Sequence, residues 1–157
     1  MPKTVTIETT KGTITLELWD KGAPKTCANF EKLISSNYYN GISFHRVVPD
    51  FVIQGGCPQG TGTGGPGWNI DCELTPTLKH VRGTLSMARA STCEHDRKTG
   101  AKRSGNCTNG SQFFVCLKNE TASQLDMAYS AFGKVTSGME VVDKIRVGDK
   151  MTKVTIT

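Results

Sequence analysis

Residues 44–56 read FHRVVPDFVIQGG and set one cation, Arg46, and one amide, Gln54, among aromatic and aliphatic side chains. An arginine in such company lays its stem against apolar neighbours and turns five N–H donors toward whatever faces it. Its chemistry is hydrogen-bond donation, because the guanidinium keeps its charge at any relevant pH. If 51–54 is a strand, Val52 and Gln54 point to one face and Phe51 and Ile53 to the other. Pro49-Asp50 supplies the turn leading into it, proline fixing φ and aspartate bonding locally. The competing reading is a core strand with one snorkelling arginine.

Other reactive patterns are sparse. There is no GxSxG elbow and no HExxH pair, and the histidines are His45, His80 and His95. Nothing local suggests a serine triad. His45, between Phe44 and Arg46, reads as a hydrogen-bonded core histidine rather than a base. Cys93 and His95 with Cys107 could supply three metal ligands, and Cys72 or His80 a fourth. That spacing matches no strong zinc pattern, so no metal and no cofactor is expected. Cys93 with Cys107 as a redox-sensitive pair is the other reading, since Arg97, Lys98, Lys102 and Arg103 would lower a thiol pKa. The favoured reading of the segment is an inert, solvated loop. CPQGTGTGGPG, residues 57–67, lacks the lysine and hydroxyl of a phosphate cradle, and no helix pattern follows it.

Stepping outward, KTVTIET (3–9) and TITLELW (13–19) alternate cleanly around Lys11-Gly12, the pattern of an antiparallel hairpin. Pro24 opens a helix expected over about 24–35, with Cys27, Phe30, Leu33 and Ile34 on one face. Pro76 blocks any long helix after WNIDCEL. Residues 84–89 read as a strand with Leu85, Met87 and Arg89 on one face. SQFFVCL (111–117) puts Phe113, Val115 and Leu117 on one face and Phe114 with Cys116 on the other. A strand over 128–135, a short helix around Met139–Ile145 and a last strand in MTKVTIT complete the chain. Residues 91–110 carry no bulky apolar side chain and read as an exposed basic loop. Sequence-adjacent strands argue for an antiparallel barrel or sandwich over a βαβ fold.

The chain of 157 residues is the size of one domain, and 17 scattered glycines favour a loop-rich fold over a helical bundle. No apolar run reaches the length of a membrane span, and residues 1–12 do not resemble a signal peptide. Six cysteines without a secretion signal are expected as free thiols in the cytoplasm. A net charge of +5 is too modest to mark a nucleic-acid binder. The basic loop also lacks an interleaved aromatic for base stacking.

FHRVVPDFVIQGG, TGTGG, GTLSMARA, NGSQFFV and FGKV followed by GMEVVDKI resemble, in order and spacing, a cyclophilin-type peptidyl-prolyl isomerase over nearly the whole chain. The resemblance implies a mainly β fold, a closed eight-stranded antiparallel barrel capped by two α-helices. It implies one domain over 1–157 with an extended loop at about 91–108. It also implies cis–trans isomerisation of X-Pro bonds in proline-containing peptides and proteins, by a monomer acting in protein folding. Carried over by residue, Arg46 and Gln54 are catalytic. Phe51, Val52, Ala88, Arg89, Gln112, Phe114, Leu125 and Tyr129 bind substrate. Several positions depart from the family pattern: Val52 stands for a methionine, Arg89 for an asparagine, Gln124 for a tryptophan, Tyr129 for a histidine and Met127 for a glycine. Cyclosporin is a candidate ligand, and the changes at 124 and 129 count against tight binding. A non-catalytic barrel that clasps proline-containing segments is the rival reading.

Overall fold

The computed structural model describes residues 3–62, 64–75, 77–89, 93–96, 98–105 and 107–157. Pro76 and Arg97 of the sequence argument lie outside these residues. Strands β1 (Thr4–Thr9) and β2 (Gly12–Leu18) form the expected hairpin, pairing Val5 with Leu16 and Ile7 with Ile14. Helix α1 (Pro24–Ser35) buries Cys27, Phe30, Leu33 and Ile34. Its free N-terminal amides are covered from afar: the backbone N–H groups of Lys25 and Thr26 both donate to the Glu73 carboxylate.

Then come β3 (Phe44–Val48), β4 (Val52–Gly55), β5 (Thr84–Met87), β6 (Cys93–His95), β7 (Lys102–Gly105) and β8 (Phe113–Cys116). One-turn helices α2 (Asn119–Ala122) and α3 (Met139–Val142) flank β9 (Ala131–Ser137), and β10 (Met151–Ile156) ends the sheet. Eight strands make one antiparallel sheet in the order β10-β1-β2-β9-β5-β8-β4-β3, while β6 and β7 pair apart from it. The sheet curls until its edges meet at the Ser43↔Lys150 bridge, with further bonds such as Phe44 N–H to the Asp149 carbonyl at 2.8 Å. Closure is therefore a seam of a few bonds and not a full ladder, and "closed" overstates it.

Inside the curl, Phe30 packs against Tyr39, Phe113 and Phe132 at ring separations of 5.2, 5.4 and 5.1 Å. Each such ring contributes roughly 1.5–3 kcal/mol on burial. Pleat alternation sends Ile53, Leu85, Met87, Phe113 and Val115 into this core. Val52, Phe114 and Cys116 point outward, where with Ala122 and Leu125 they form a second, smaller apolar cluster. That outer cluster is the floor of the site. No helix among the described residues is long and apolar enough to cross a membrane.

Two further expectations need correction. Residues 93–105 are not an unstructured loop, because β6 and β7 form a hairpin that buries Cys93. Two of its described cations are partnered: Lys102 with Asp71 at 3.3 Å and Arg103 with Asp96 at 2.8 Å. The strand expected over 128–135 runs instead over Ala131–Ser137, since Tyr129 and Ser130 still belong to the turn before it.

Candidate active site

Simple alternation would put Arg46 on the same inward face as Phe44. The ladder shows why it does not: Phe44 pairs with Gly55 but Arg46 pairs with Gln54, so His45 is an extra residue in β3. This bulge flips the parity of the strand, leaving Phe44 buried in the core and Arg46 exposed on the outer face. The His45 ring is half-buried, and burial, then the neighbouring Arg46 charge, lowers its pKa. Its Nδ1 has no partner among the described residues, contrary to a hydrogen-bonded core histidine.

Arg46 Nη1 donates to Gln54 Oε1 at 3.2 Å, and Gln54 Nε2 donates to Gln112 Oε1 at 3.2 Å. Gln112 Nε2 in turn donates to the carbonyls of Gly62 and Gly64, both at 2.9 Å. One relay thus runs from the guanidinium to the glycine-rich loop. Gly56 makes the crossing that allows it. Its φ is +96°, and a Cβ there would collide with the Ser111 carbonyl.

Beside Arg46 lies a pocket of about 220 Å³. Phe51, Val52, Phe114 and Leu125 give it apolar walls, and Gln54, Ala88, Arg89 and Tyr129 complete the rim. Gln112 lies outside this pocket, lining an adjoining groove of about 710 Å³ that shares Gln54, Ala88 and Arg89. All the sequence-predicted substrate residues therefore converge on two connected depressions. Arg89 arrives there against its parity with Leu85 and Met87, because β5 stops at Met87 and the chain turns out. Ala88 N–H donates to the Gln112 carbonyl at 3.0 Å. The Arg89 side chain donates from Nε to the Ala128 carbonyl at 2.8 Å and lies 4.9 Å over the Tyr129 ring.

The pocket floor rests on a residue that the sequence offers only as a candidate metal ligand. The buried His80 ring stacks on Phe114 with centroids 6.2 Å apart and planes 18° apart. Its Nδ1 lies 3.0 Å from Asp126 Oδ1, and its Nε2 lies 2.9 Å from the Ser86 hydroxyl. Burial lowers its pKa against the opposing pull of Asp126, so the ring is neutral and the contact is a hydrogen bond rather than an ion pair. Tyr129 meets Phe114 from the other side, edge to face at 5.7 Å. Met127 takes φ 62°, the left-handed conformation a glycine would adopt, so the turn is kept at some local strain. Gln124 is exposed on the 3-10 turn Ser123–Leu125.

Two groups of thiols stand apart. Burial pushes the Cys57 thiol up, but N–H bonds from Gly64, Thr61, Gly62 and Gln59 outweigh it and bring it to about 7. Cys72, Cys93, His95 and Cys107 gather in one cluster outside the groove lining, with their ligand atoms within 4.8 Å of one another. His80 is not among them, and Cys93 and Cys107 are both free thiols. The arrangement of the pocket residues offers a cationic donor beside a small apolar cup.

The sequence profile described as cyclophilin type peptidyl-prolyl cis-trans isomerase/CLD matches residues 4–157. A peptidyl-prolyl cis-trans isomerase of Helicobacter pylori is 48% identical over 147 residues, covering 92% of this chain and 80% of that protein. Peptidyl-prolyl cis-trans isomerase B of Bacillus subtilis is 45% identical over 144 residues, 91% of this chain and 90% of that one. Among solved structures, a cyclophilin-type isomerase of Cryptosporidium parvum superposes with a TM-score of 0.84 at 33% identity, covering 100% of this chain and 98% of its own. Sequence, fold and relatives agree that this chain belongs to the cyclophilin-type peptidyl-prolyl cis-trans isomerase family.

Proposed function

We propose that the 220 Å³ pocket holds a prolyl ring while Arg46 donates a hydrogen bond to the prolyl nitrogen as the X-Pro bond twists. Rotation faces a barrier of about 18–20 kcal/mol because the nitrogen lone pair is delocalised into the carbonyl. In the twisted state that pair is localised and becomes an acceptor. The donor therefore acts mainly in the transition state, the condition for raising rate rather than affinity. No bond breaks, so no nucleophile or proton shuttle is called for.

The observation that carries this reading is the bulge at His45, which turns Arg46 out of the core to the rim of an apolar pocket. The pocket is smaller than the roughly 300–1,000 Å³ of drug-sized sites, which suits one ring and not a large ligand. Phe51, Val52, Phe114 and Leu125 grip the ring, Gln54 orients Arg46, and Gln112 with the Ala88–Arg89 backbone holds the flanking peptide. Tyr129 is covered by Arg89, and Gln124 offers no flat apolar surface, so cyclosporin is expected to bind weakly. Six free thiols suit a reducing compartment, and we assign the work to the cytoplasm.

The test is exchange spectroscopy on a short X-Pro peptide with wild type and Arg46→Ala. Removal of one preorganised donor costs about 10²–10³ in turnover where such donors have been deleted. The variant should lose that much while its peptide affinity stays nearly constant. A folded wild type that binds the peptide without accelerating its rotation would leave the recognition module as the reading.

A further inference from the structure

Three cysteines and a histidine with no part in bond rotation meet at one point. Cys72 lies on an extended segment, Cys93 and His95 on β6, and Cys107 just past β7. Cys72 Sγ is 3.9 Å from Cys93 Sγ, and Cys107 Sγ is 3.4 Å from His95 Nε2. Tetrahedral zinc, with bonds of about 2.3 Å to sulfur and 2.0–2.1 Å to nitrogen, requires edges of about 3.8 and 3.5 Å. A disulfide needs sulfurs at about 2.05 Å. The observed spacing is that of ligands around an ion.

The groups behind the ligands orient them for that task. His95 Nδ1 lies 3.1 Å from the Gly100 carbonyl, and donation there leaves the Nε2 lone pair facing Cys107. Gly100 sits at φ +81° with its Cα against the Leu74 backbone, where a Cβ would collide. The hairpin turn is thereby seated on the segment that carries Cys72. Asn109, fully buried, donates to Cys72 Sγ at 3.3 Å and to the Ile70 carbonyl at 3.3 Å. The Ile70↔Asn109 bridge joins the segments of Cys72 and Cys107.

Among the described residues, little else holds the hairpin down beyond the exposed Lys102–Asp71 pair and the seat of Gly100 on Leu74. Isolated two-stranded hairpins are marginal in water. β7 is exposed along its length, and among the described residues of 93–107 only Cys93 and Cys107 are buried. The Arg103–Asp96 pair lies at the surface and contributes little. The described residues supply no apolar core here to hold the strands down.

We propose that Cys72, Cys93, His95 and Cys107 bind one zinc ion, which fixes the 93–107 hairpin to the 70–74 segment. Three thiolates with one imidazole select zinc over magnesium or calcium, and four protein ligands leave no open position for catalysis. The site is structural, and what it braces is the groove. Ala88 and Arg89 precede the hairpin, Thr108 and Gly110 follow it, and all four line the groove.

The test takes the reduced full chain, strips it with chelator, loads it with zinc chloride, desalts it and measures metal by plasma mass spectrometry. Affinity comes from competition with a chromophoric chelator. We expect one zinc per chain, and binding weakened by at least about 100-fold in Cys107→Ser, the upper range for losing even a partner behind a ligand. Cys57→Ser should keep its zinc. Hydrogen exchange of the wild type should show 93–107 protected by zinc while the barrel strands are unchanged. If Cys107→Ser does not fold, cobalt loading of the wild type decides. Intense visible bands with thiolate charge transfer support the site, and a pale octahedral spectrum overturns it. Substoichiometric zinc in reduced wild type, undiminished zinc in Cys107→Ser, or a Cys72–Cys93 disulfide in protein kept under reductant also overturns it.

Discussion

Gln54→Leu isolates the relay that holds Arg46. Leucine keeps the outer face of β4 filled while removing the acceptor for Arg46 Nη1 and the donor to Gln112. A hydrogen bond to a charged group contributes about 1.5–3 kcal/mol. Arg46 is exposed and the 3.2 Å contact is at the long end of the range, so the lower figure applies. A loss of about 1.5 kcal/mol from the transition state is roughly tenfold in kcat/KM. Water replaces the lost acceptor in the free enzyme, so thermal stability should change by less than about 0.5 kcal/mol, as for surface positions. Because Gln54 is argued to act through Arg46, the double variant Gln54→Leu/Arg46→Ala should be no slower than Arg46→Ala alone. The assay is exchange spectroscopy on one X-Pro peptide across all four proteins, read as a double-mutant cycle. If the tenfold loss persists without Arg46, the effects add, Gln54 touches substrate directly, and the relay is refuted.

His80→Gln addresses the pocket floor and its pH dependence. The folded pKa is lowered, so as pH falls below the unfolded value of about 6.5 the unfolded chain binds the proton first and wild-type stability declines. Denaturant melts at about pH 7.5 and about pH 5.5 should show a drop in wild type that is smaller in the variant; equal drops would mean the ring is not the titrating group. Glu73→Ala uncovers the first turn of α1 and should cost about 1–2 kcal/mol, the range for a lost cap, whereas Glu73→Gln should recover part of it. An unchanged melting temperature in Glu73→Ala would show that solvent satisfies those amides as well.

Local pattern made some of this legible in the sequence. The β1–β2 hairpin and α1 follow from alternation and helical spacing within short windows, and both appear with nearly the expected bounds. Strand parity in SQFFVCL likewise puts Phe114 with Cys116, and the structure has both on the outer face. Arg46 and Arg89 are the instructive cases, since parity alone puts both inside. A bulge turns one outward and the end of β5 turns the other, and neither event has a signature in residue type. The place of His80 under the pocket and of Glu73 over the first turn of α1 is hidden from sequence for another reason. Their partners lie far along the chain, as Asp126 does from His80 and Lys25 from Glu73, and only the completed sheet brings them together. The metal-ligand spacing looked weak because the four ligands come from three separate segments and no two segments contain a recognisable motif.

The pairing of β10 with β1 has a consequence for synthesis. Val5 lies opposite Ile156, and Thr4 and Thr157 exchange backbone bonds of 3.1 and 2.9 Å. β1 therefore waits for β10, far later in the sequence, before its second edge is covered. While the ribosome adds the intervening residues, the β1–β2 hairpin stands with an open ladder, the kind of edge that invites pairing with other nascent chains. Contacts of such long sequence separation also form slowly. Until β10 clears the exit tunnel, this isomerase chain is itself a client for protection.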